Sequence, residues 1–346
     1  MGQDERPLLL RVDPHRPDPA ILRQAGRALR EGRLVAFPTE TVYGLGANAL
    51  DADAVARIFA VKGRPADNPL IVHIRRPEEL EHVAKGVPER ARRLMERFWP
   101  GPLTLVLPRA PDVPLVTTGG LDTVAVRVPA HPVALALLEE AGVPVAAPSA
   151  NRSGRPSPTR AEHVLDDLGG QVDVVVDGGP CPVGVESTVL DLSGHIPVIL
   201  RPGGVSREAL EEALGGPVAV GAPRELARRS PGTRYRHYAP RARLVIVAAE
   251  EMEETVRRWL WRGARVGALS RRPLDLSDPA LLVWPVPGDL ARYAHELFDA
   301  LRWLDSQGCQ VILAEAVPEE GLGLAIMDRL RRAAAAEPSP APDAGP

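Results

Sequence analysis

The chain is 346 residues long, which at roughly 150 residues per domain suggests about two domains. Hydrophobic residues make up 45% and charged residues 25%, which excludes wholesale disorder, and a net charge of -3 argues against a protein that is basic all over. Cys181 and Cys309 are the only cysteines, too few and too far apart for a disulfide framework or a CxxC zinc site, and a reducing compartment fits. The opening Met1-Gly2-Gln3-Asp4-Glu5-Arg6 is charged and has no apolar segment after it, so no signal peptide is expected. No apolar run approaches the ~18 residues of a membrane span, and a soluble, cytoplasmic protein is the expectation. Lys62 and Lys85 are the only lysines among 42 basic residues, so a retained lysine carries more information here than usual.

Pro19 to Glu31 reads as the first helix, with Ile21, Leu22, Ala25 and Leu29 at helical spacing and Gly32 closing it. Leu34 to Phe37 then reads as a short buried strand, Ala52 to Lys62 as a helix, and Leu70 to Ile74 as a strand. Pro88 to Phe98, Pro132 to Ala141 and Thr159 to Leu168 are helical. Leu103 to Leu107, Thr123 to Val128, Val143 to Ala147, Val172 to Val176 and Ser187 to Leu192 are β-rich. Strands and helices are mixed rather than strictly alternating, which predicts an α/β domain with a mixed, twisted sheet over residues 1–216. Residues 217–243 are rich in arginine, contain the turn Ser230-Pro231-Gly232 and lack apolar periodicity, and read as a basic linker. Strands at Leu244 to Ala248, Val266 to Leu269 and Val311 to Ala314, with helices at Glu251 to Trp261, Leu290 to Leu304 and Leu322 to Ala334, predict a smaller α/β domain over 244–335. The Pro/Ala-rich tail, 336–346, is expected to be disordered.

Phe37 to Ala49 is the stretch richest in chemistry. Gly44, Gly46 and Ala49 match GxGxxA, but Pro38 to Tyr43 separate the strand from the first glycine, which argues against a dinucleotide loop and leaves a Gly-containing turn as the plainer reading. Thr39, Glu40, Thr41 and Tyr43 beside a buried strand suggest a lined pocket. Lys62-Gly63-Arg64-Pro65 sets two cations at a helix end, where they can converge on one anion, lysine as a point charge and arginine as a fork. Ala147 to Thr159 brings hydroxyls and amides between a buried strand and a helix that Thr159 is expected to cap, a place suited to an anion or nucleotide. Gly184 to Val189 and Leu200-Arg201-Pro202-Gly203 repeat the pattern of polar groups at strand ends. No GxxxxGK[ST] and no paired histidine ligands occur, so neither a P-loop nor a protein-built metal site is expected. Ser149 is not in GxSxG, which argues against a serine nucleophile.

Taken in order, Phe37 to Ala49, Lys62 to Ile74, Phe98 to Thr104, Ala147 to Thr159, Gly184 to Asp191 and Arg201-Pro202-Gly203 resemble the motif series of the threonylcarbamoyl-AMP synthases, the YrdC-like family. Ser230 to Pro240 resembles the linker of the long two-domain form, and Gly321 to Leu330 the end of its C-terminal domain, with Asp328 where an Asn is common. The resemblance covers residues 17 to 335. It implies an N-terminal YrdC-like domain with a twisted mixed sheet and a smaller, Rossmann-like C-terminal α/β domain.

By this resemblance the chain would join L-threonine, bicarbonate or CO2, and ATP into threonylcarbamoyl-adenylate, releasing pyrophosphate. A partner transferase would then pass the group to an adenosine beside the tRNA anticodon. Lys62 and Arg64 would act on phosphate as the catalytic pair. Arg64, Asn68, Thr123, Ser149, Ser157 and Arg201 would contact ATP, joined by His237 and Tyr238 from a linker acting as a lid. Thr41, His73, Arg127, Ala147 and Ser187 would surround L-threonine, with Arg127 suited to its carboxylate. Mg2+ would arrive with ATP, held mostly by phosphate oxygens and water. Two alternatives stand beside this reading: a non-enzymatic RNA-binding module, disfavoured by only 4% aromatic residues, and carbamoyl transfer through a carbamoyl-adenylate. A weak tRNA contact through the arginine-rich linker and the absence of membrane association complete the expectations.

Overall fold

The computed structural model describes residues 6–221, 223–232, 237–286 and 288–335. Expectations placed on Arg234, Tyr235, Arg236 and the tail 336–346 lie outside the described residues. The chain divides into two compact units, Met1–Ser153 with Ser157–Tyr235, and Gly154–Pro156 with Arg236–Pro346.

The first unit runs β1 (Leu8–Arg11), α1 (Pro19–Arg30), β2 (Val35–Phe37), β3 (Gly44–Asn48), α2 (Ala52–Lys62), β4 (Ile71–His73) and α3 (Glu89–Phe98). It continues through β5 (Leu103–Pro108), β6 (Thr123–Arg127), α4 (Pro132–Ala141), β7 (Val145–Ala146), α5 (Ala161–Leu168) and β8 (Val174–Asp177). Then come β9 (Thr188–Asp191), β10 (Val198–Arg201), α6 (Arg207–Leu214), β11 (Ala219–Val220) and α7 (Arg224–Ala227). Among the described residues its strands form one eleven-stranded sheet in the order β1-β8-β2-β3-β7-β4-β6-β5-β9-β10-β11. Pairing is mixed, parallel for β4 with β6 and for β5 with β9, antiparallel for β2 with β3 and for β5 with β6. The α/β class with a mixed sheet is therefore as the sequence implied.

Because side chains alternate across a strand, the sheet's two faces carry different cores. One face holds the larger cluster, with Val72, Val126 and Leu105 from the central strands against Ile58 of α2, Leu94 of α3 and Val164 of α5. The other face is divided. At one end Leu22 and Leu29 of α1 and Leu137 of α4 pack with Phe37, Val145 and Val174; at the other, Ile71, Val106, Ala125, Val189 and Leu200 form a small cluster of their own. Between these two clusters the same face presents His73 and Arg127, set opposite each other by the β4–β6 register.

The second unit contains β12 (Arg243–Val247), α8 (Met252–Trp261), β13 (Val266–Ser270), β14 (Leu281–Pro285), α9 (Leu290–Ser306), β15 (Val311–Glu315) and α10 (Leu322–Ala334). Its sheet, ordered β12-β15-β13-β14, is parallel throughout, the parallel α/β layer expected. The segment Gly154–Pro156 is tied into this unit: the Ala239 amide donates to the Gly154 carbonyl at 2.9 Å, and Arg302 donates to the carbonyl of Pro156. The stretch read as a linker contains β11 and α7 and is shared between the units, which divide after Tyr235.

Two local expectations are corrected. Gly44 and Gly46 lie in strand β3, antiparallel to β2, and form neither a turn nor a phosphate loop. Glycine is needed there for close approach, since a Cβ at Gly46 would sit 2.8 Å from the Phe37 ring and 2.8 Å from Val145. Thr159 does not cap α5, whose N-cap is Arg160 with no side-chain capping bond. Its amide donates instead to His163 Nδ1 at 3.2 Å and its carbonyl accepts from the Cys181 amide at 3.0 Å, which fixes it in the preceding loop.

Candidate active site

The loop after β2 is folded by its own hydroxyls. Thr39 Oγ1 donates to the Val42 carbonyl at 2.7 Å and accepts from the amides of Thr41 and Val42 at 3.2 Å, an ST-type turn. Thr39 and Thr41 share a hydroxyl–hydroxyl bond of 2.8 Å. Thr41 Oγ1 also accepts from Arg127 Nη1 at 3.0 Å, which carries the loop onto β6. Arg127 Nη2 lies 2.6 Å from Glu40 Oε2, both side chains almost wholly buried. The geometry is that of an ion pair and not of an aligned hydrogen bond.

Ser187, immediately before β9, bonds through its hydroxyl to Thr104 at 2.8 Å. Arg201, at the end of β10, donates from Nε and Nη2 to the Ser187 carbonyl at 3.2 and 3.0 Å, and from Nη1 to the Pro231 carbonyl at 3.4 Å. Ser157 donates to Glu186, a carboxylate the sequence did not single out. Thr41, Arg127, Ser187 and Arg201 are thus linked to neighbours by buried polar contacts; His73 ends β4 and Ala147 directly follows β7, its amide donating to the Ile71 carbonyl at 2.9 Å.

The cation pair at the end of α2 is arranged differently from a pair of open anchors. Gly63 closes the helix in the left-handed conformation, φ 60°, where glycine carries no Cβ penalty. Lys62 is buried, and its ammonium donates to the carbonyls of Ser149 and Asn151, so it clasps the loop that carries Ser149. Arg64 donates to the carbonyls of Asn68 at 3.3 Å and Pro69 at 3.0 Å and closes its own turn, while Asn68 Nδ2 is buried without a hydrogen-bond partner among the described residues. Thr123 opens β6, two alternations from Arg127 and hence on its face. Tyr43, included in the suggested pocket, is instead structural: its hydroxyl donates to the Gly179 carbonyl at 2.7 Å and burial pushes its ionisation far up. Tyr238 belongs to the other unit, where its ring stacks on Phe298 at 5.4 Å with the Arg329 guanidinium 5.2 Å from its centroid, and His237 adjoins it at 5.4 Å.

Burial, reinforced by the neighbouring Arg127 charge, pushes the His73 imidazole down to about 3, and burial pushes His131 down to about 4. Both are neutral in the folded chain at pH 7. Their folded values lie below the unfolded one of about 6.5, so the stability they contribute is complete above that pH and is lost as pH falls through the window toward 3. Between pH 6.5 and 5, above the carboxylate range, unfolding free energy should fall by up to about 1.4 kcal/mol per pH unit for each. Denaturant titrations at both pH values should show a smaller loss in His73→Gln; an unchanged pH dependence would contradict the assignment.

Among the described residues no group of three or more His, Cys, Asp or Glu is placed to hold a metal, and no helix is long and apolar enough to cross a membrane. A family model described as "Telomere recombination" matches residues 27–203, and one described as "Threonylcarbamoyl-AMP synthase, C-terminal domain" matches residues 205–335. The threonylcarbamoyl-AMP synthase of Pyrococcus abyssi is 51% identical over 322 residues, covering 90% of this chain and 93% of that one. The Bacillus subtilis protein of the same name is 50% identical over 326 residues, covering 92% and 93%. Among solved structures, the crystal structure of P. abyssi Sua5 complexed with L-threonine matches with a TM-score of 0.89 at 49% identity, over 94% of this chain and 97% of that one.

Proposed function

The chain belongs to the threonylcarbamoyl-AMP synthase family, and we propose the division of labour within its site that follows from that membership. It is a nucleotidyltransferase that makes L-threonylcarbamoyl-adenylate from L-threonine, bicarbonate or CO2, and ATP, with release of pyrophosphate, for threonylcarbamoyladenosine in tRNA. The observation that carries the assignment of residues is the buried polar set of Thr41, Arg127, Ser187 and Arg201 on one face of the sheet.

L-Threonine binds with its carboxylate on Arg127, between Thr41, His73, Ala147 and Ser187. A guanidinium matches a carboxylate with two parallel donors, and Thr41 already fixes its plane. The nucleotide lies along Arg64, Asn68, Thr123, Ser149, Ser157 and Arg201. A carbamate oxygen of carboxylated threonine attacks the α-phosphorus, and the bond to the departing pyrophosphate breaks. Charge accumulates on phosphate oxygens, so positioning and fixed cations, Lys62 and Arg64 foremost, dominate the rate enhancement. The carboxylates beside these residues, Glu40 and Glu186, face Arg127 and Ser157, which fits a Mg2+ that would arrive on ATP and would be held by phosphate oxygens and water rather than by these side chains. That ion would supply neutralisation of the phosphate charge. Mass spectrometry of a mixture of protein, ATP, bicarbonate and either threonine or carbamoyl phosphate tests the reading: the threonyl product supports it, and a carbamoyl-adenylate alone sinks it.

The adenylate passes to a threonylcarbamoyl transferase acting on tRNA. A direct tRNA contact through the basic stretch is weak at most, since Arg229 and Arg241 are already paired with Asp191 and Asp305. For His237 and Tyr238 the proposal retains a nucleotide role, resting on their place in the family's linker. Replacing both by alanine should raise the KM for ATP severalfold in a folded protein, and unchanged kinetics would remove them from the site.

A further inference from the structure

Buried polar atoms without a hydrogen-bond partner are scarce in folded proteins, and each calls for a reason. Here several gather at one place. Both carboxylate oxygens of Glu40, Nε and Nη2 of Arg127 and Nδ1 of His73 are buried and make no hydrogen bond among the described residues. Glu40 is 5% exposed and Arg127 3%. Their 2.6 Å ion pair supplies Coulomb attraction, yet a buried pair is favourable only when the remaining lone pairs and protons are also satisfied.

We infer that Glu40 is the acceptor for the amino nitrogen of the amino-acid substrate, so that Glu40 and Arg127 together read an α-amino-acid zwitterion. The inference rests on the proposed reading of this place as the threonine site. In an α-amino acid the ammonium and the carboxylate are carried on the same carbon, so a ligand whose carboxylate engages Arg127 necessarily brings its nitrogen close by. A carboxylate set beside the guanidinium is the complementary partner for that nitrogen. Other acceptors of the loop are occupied. The Glu40 carbonyl accepts from the Val183 amide at 2.8 Å, the Thr41 carbonyl from Gly184 at 3.1 Å, and the Thr39 and Thr41 hydroxyls bond each other. His73 Nδ1 also stands without a partner, but its ring is neutral, whereas Glu40 offers the charge that matches an ammonium.

The same contact serves the next species. Carboxylation of the ammonium by bicarbonate releases water and one proton to solvent and leaves one N–H on the nitrogen, for which Glu40 can still be the acceptor. The negative carbamate oxygens are repelled by the Glu40 carboxylate and directed away from it, as an attack on phosphorus requires. Glu40 in this role selects and orients the substrate; it takes no proton from it.

The test compares L-threonine with β-hydroxybutyrate of matching configuration, which is threonine without its amino group, as ligands of the full-length chain. Wild-type protein should bind β-hydroxybutyrate about 10- to 100-fold more weakly, the range of a charge-assisted hydrogen bond. Glu40→Gln should weaken threonine by a similar factor while leaving β-hydroxybutyrate and ATP affinities unchanged. If Glu40 serves only to hold Arg127 in place, Glu40→Gln weakens both ligands equally, and the inference is overturned. It is overturned as well if wild type binds the two ligands equally. Should Glu40→Gln fail to fold, Glu40→Asp, which keeps the charge on a shorter stem, should show a partial loss confined to threonine; an equal loss for both ligands again overturns it. Wild-type protein that yields no threonyl adenylate would instead sink the proposed function, independently of Glu40.

Discussion

Lys62→Ala should abolish adenylate formation, lowering turnover by at least 100-fold, while the protein still unfolds cooperatively. The ammonium is buried at the end of α2 and held on the carbonyls of Ser149 and Asn151, which fixes a positive charge beside the loop of Ser149, proposed above to contact the nucleotide. A charge-assisted hydrogen bond to phosphate contributes about 1.5–3 kcal/mol, and a fixed cation acting where charge develops adds to that in the transition state. The same substitution leaves two loop carbonyls without their donor, so a loss of stability of about 1–3 kcal/mol should accompany the kinetic defect. Lys62→Arg separates the two effects. It keeps a cation that can satisfy carbonyls, but its planar fork does not fit where a compact ammonium sits, so activity should stay low while stability recovers in part. Near-normal turnover in a folded Lys62→Ala protein would show that the lysine is a structural clasp and nothing more.

How far this site could be read from the sequence depended on what each residue contributes to a local pattern. Lys62 is conspicuous in the sequence because it is one of only two lysines and the remaining basic residues are arginine. The helices were legible from apolar spacing, and α2 and α4 have the expected limits. Strands β1 and β14 escape a reading by pattern because Leu8-Leu9-Leu10-Arg11 and Leu281-Leu282-Val283-Trp284-Pro285 are short apolar runs without the apolar–polar alternation that marks a half-buried strand, and both lie at a sheet edge. Strand β3 was hidden by its glycines, which read as a turn until the ring of Phe37 and the side chain of Val145 are seen beside Gly46. The clustering of Glu40 with Arg127, and of Ser187 with Thr104 and Arg201, joins residues far apart in the chain; no periodicity encodes such contacts, because sheet order and register create them. For Glu40 one signal was available, a lone carboxylate between two threonines after a wholly apolar strand. The pairing of Lys62 with loop carbonyls, in contrast, depends on a strand-to-loop path that only the folded backbone defines.

Gly203→Ala should be the most destabilising of the single glycine substitutions in the first unit, costing about 3 kcal/mol or more and removing synthesis with it. A Cβ on Gly203 would lie 2.2 Å from the Glu186 carbonyl oxygen and 2.3 Å from both the Ser187 carbonyl carbon and the Thr188 nitrogen. All three are backbone atoms, so no rotamer change can make room. Relief would require β10 to withdraw from β9, and the contacts that cross there would go with it: Arg201 to the Ser187 carbonyl, and Thr188 Oγ1 to the Val205 carbonyl at 2.6 Å. Ser187 and Arg201 are the residues proposed for threonine and nucleotide, so the packing defect and the loss of function have one cause. Two other glycines calibrate the effect. Gly216 has no atom within 4 Å of an added Cβ, and its alanine variant should stay within about 0.5 kcal/mol of wild type. Gly63 likewise has open space but sits at φ 60°, so Gly63→Ala should cost on the order of 1 kcal/mol through backbone strain alone. Urea midpoints for the three variants should fall in the order Gly216→Ala, Gly63→Ala, Gly203→Ala, from most to least stable. A Gly203→Ala protein as stable as wild type would mean that β9 and β10 do not approach as closely as these distances require, and the placement of Ser187 against Arg201 would fall with them.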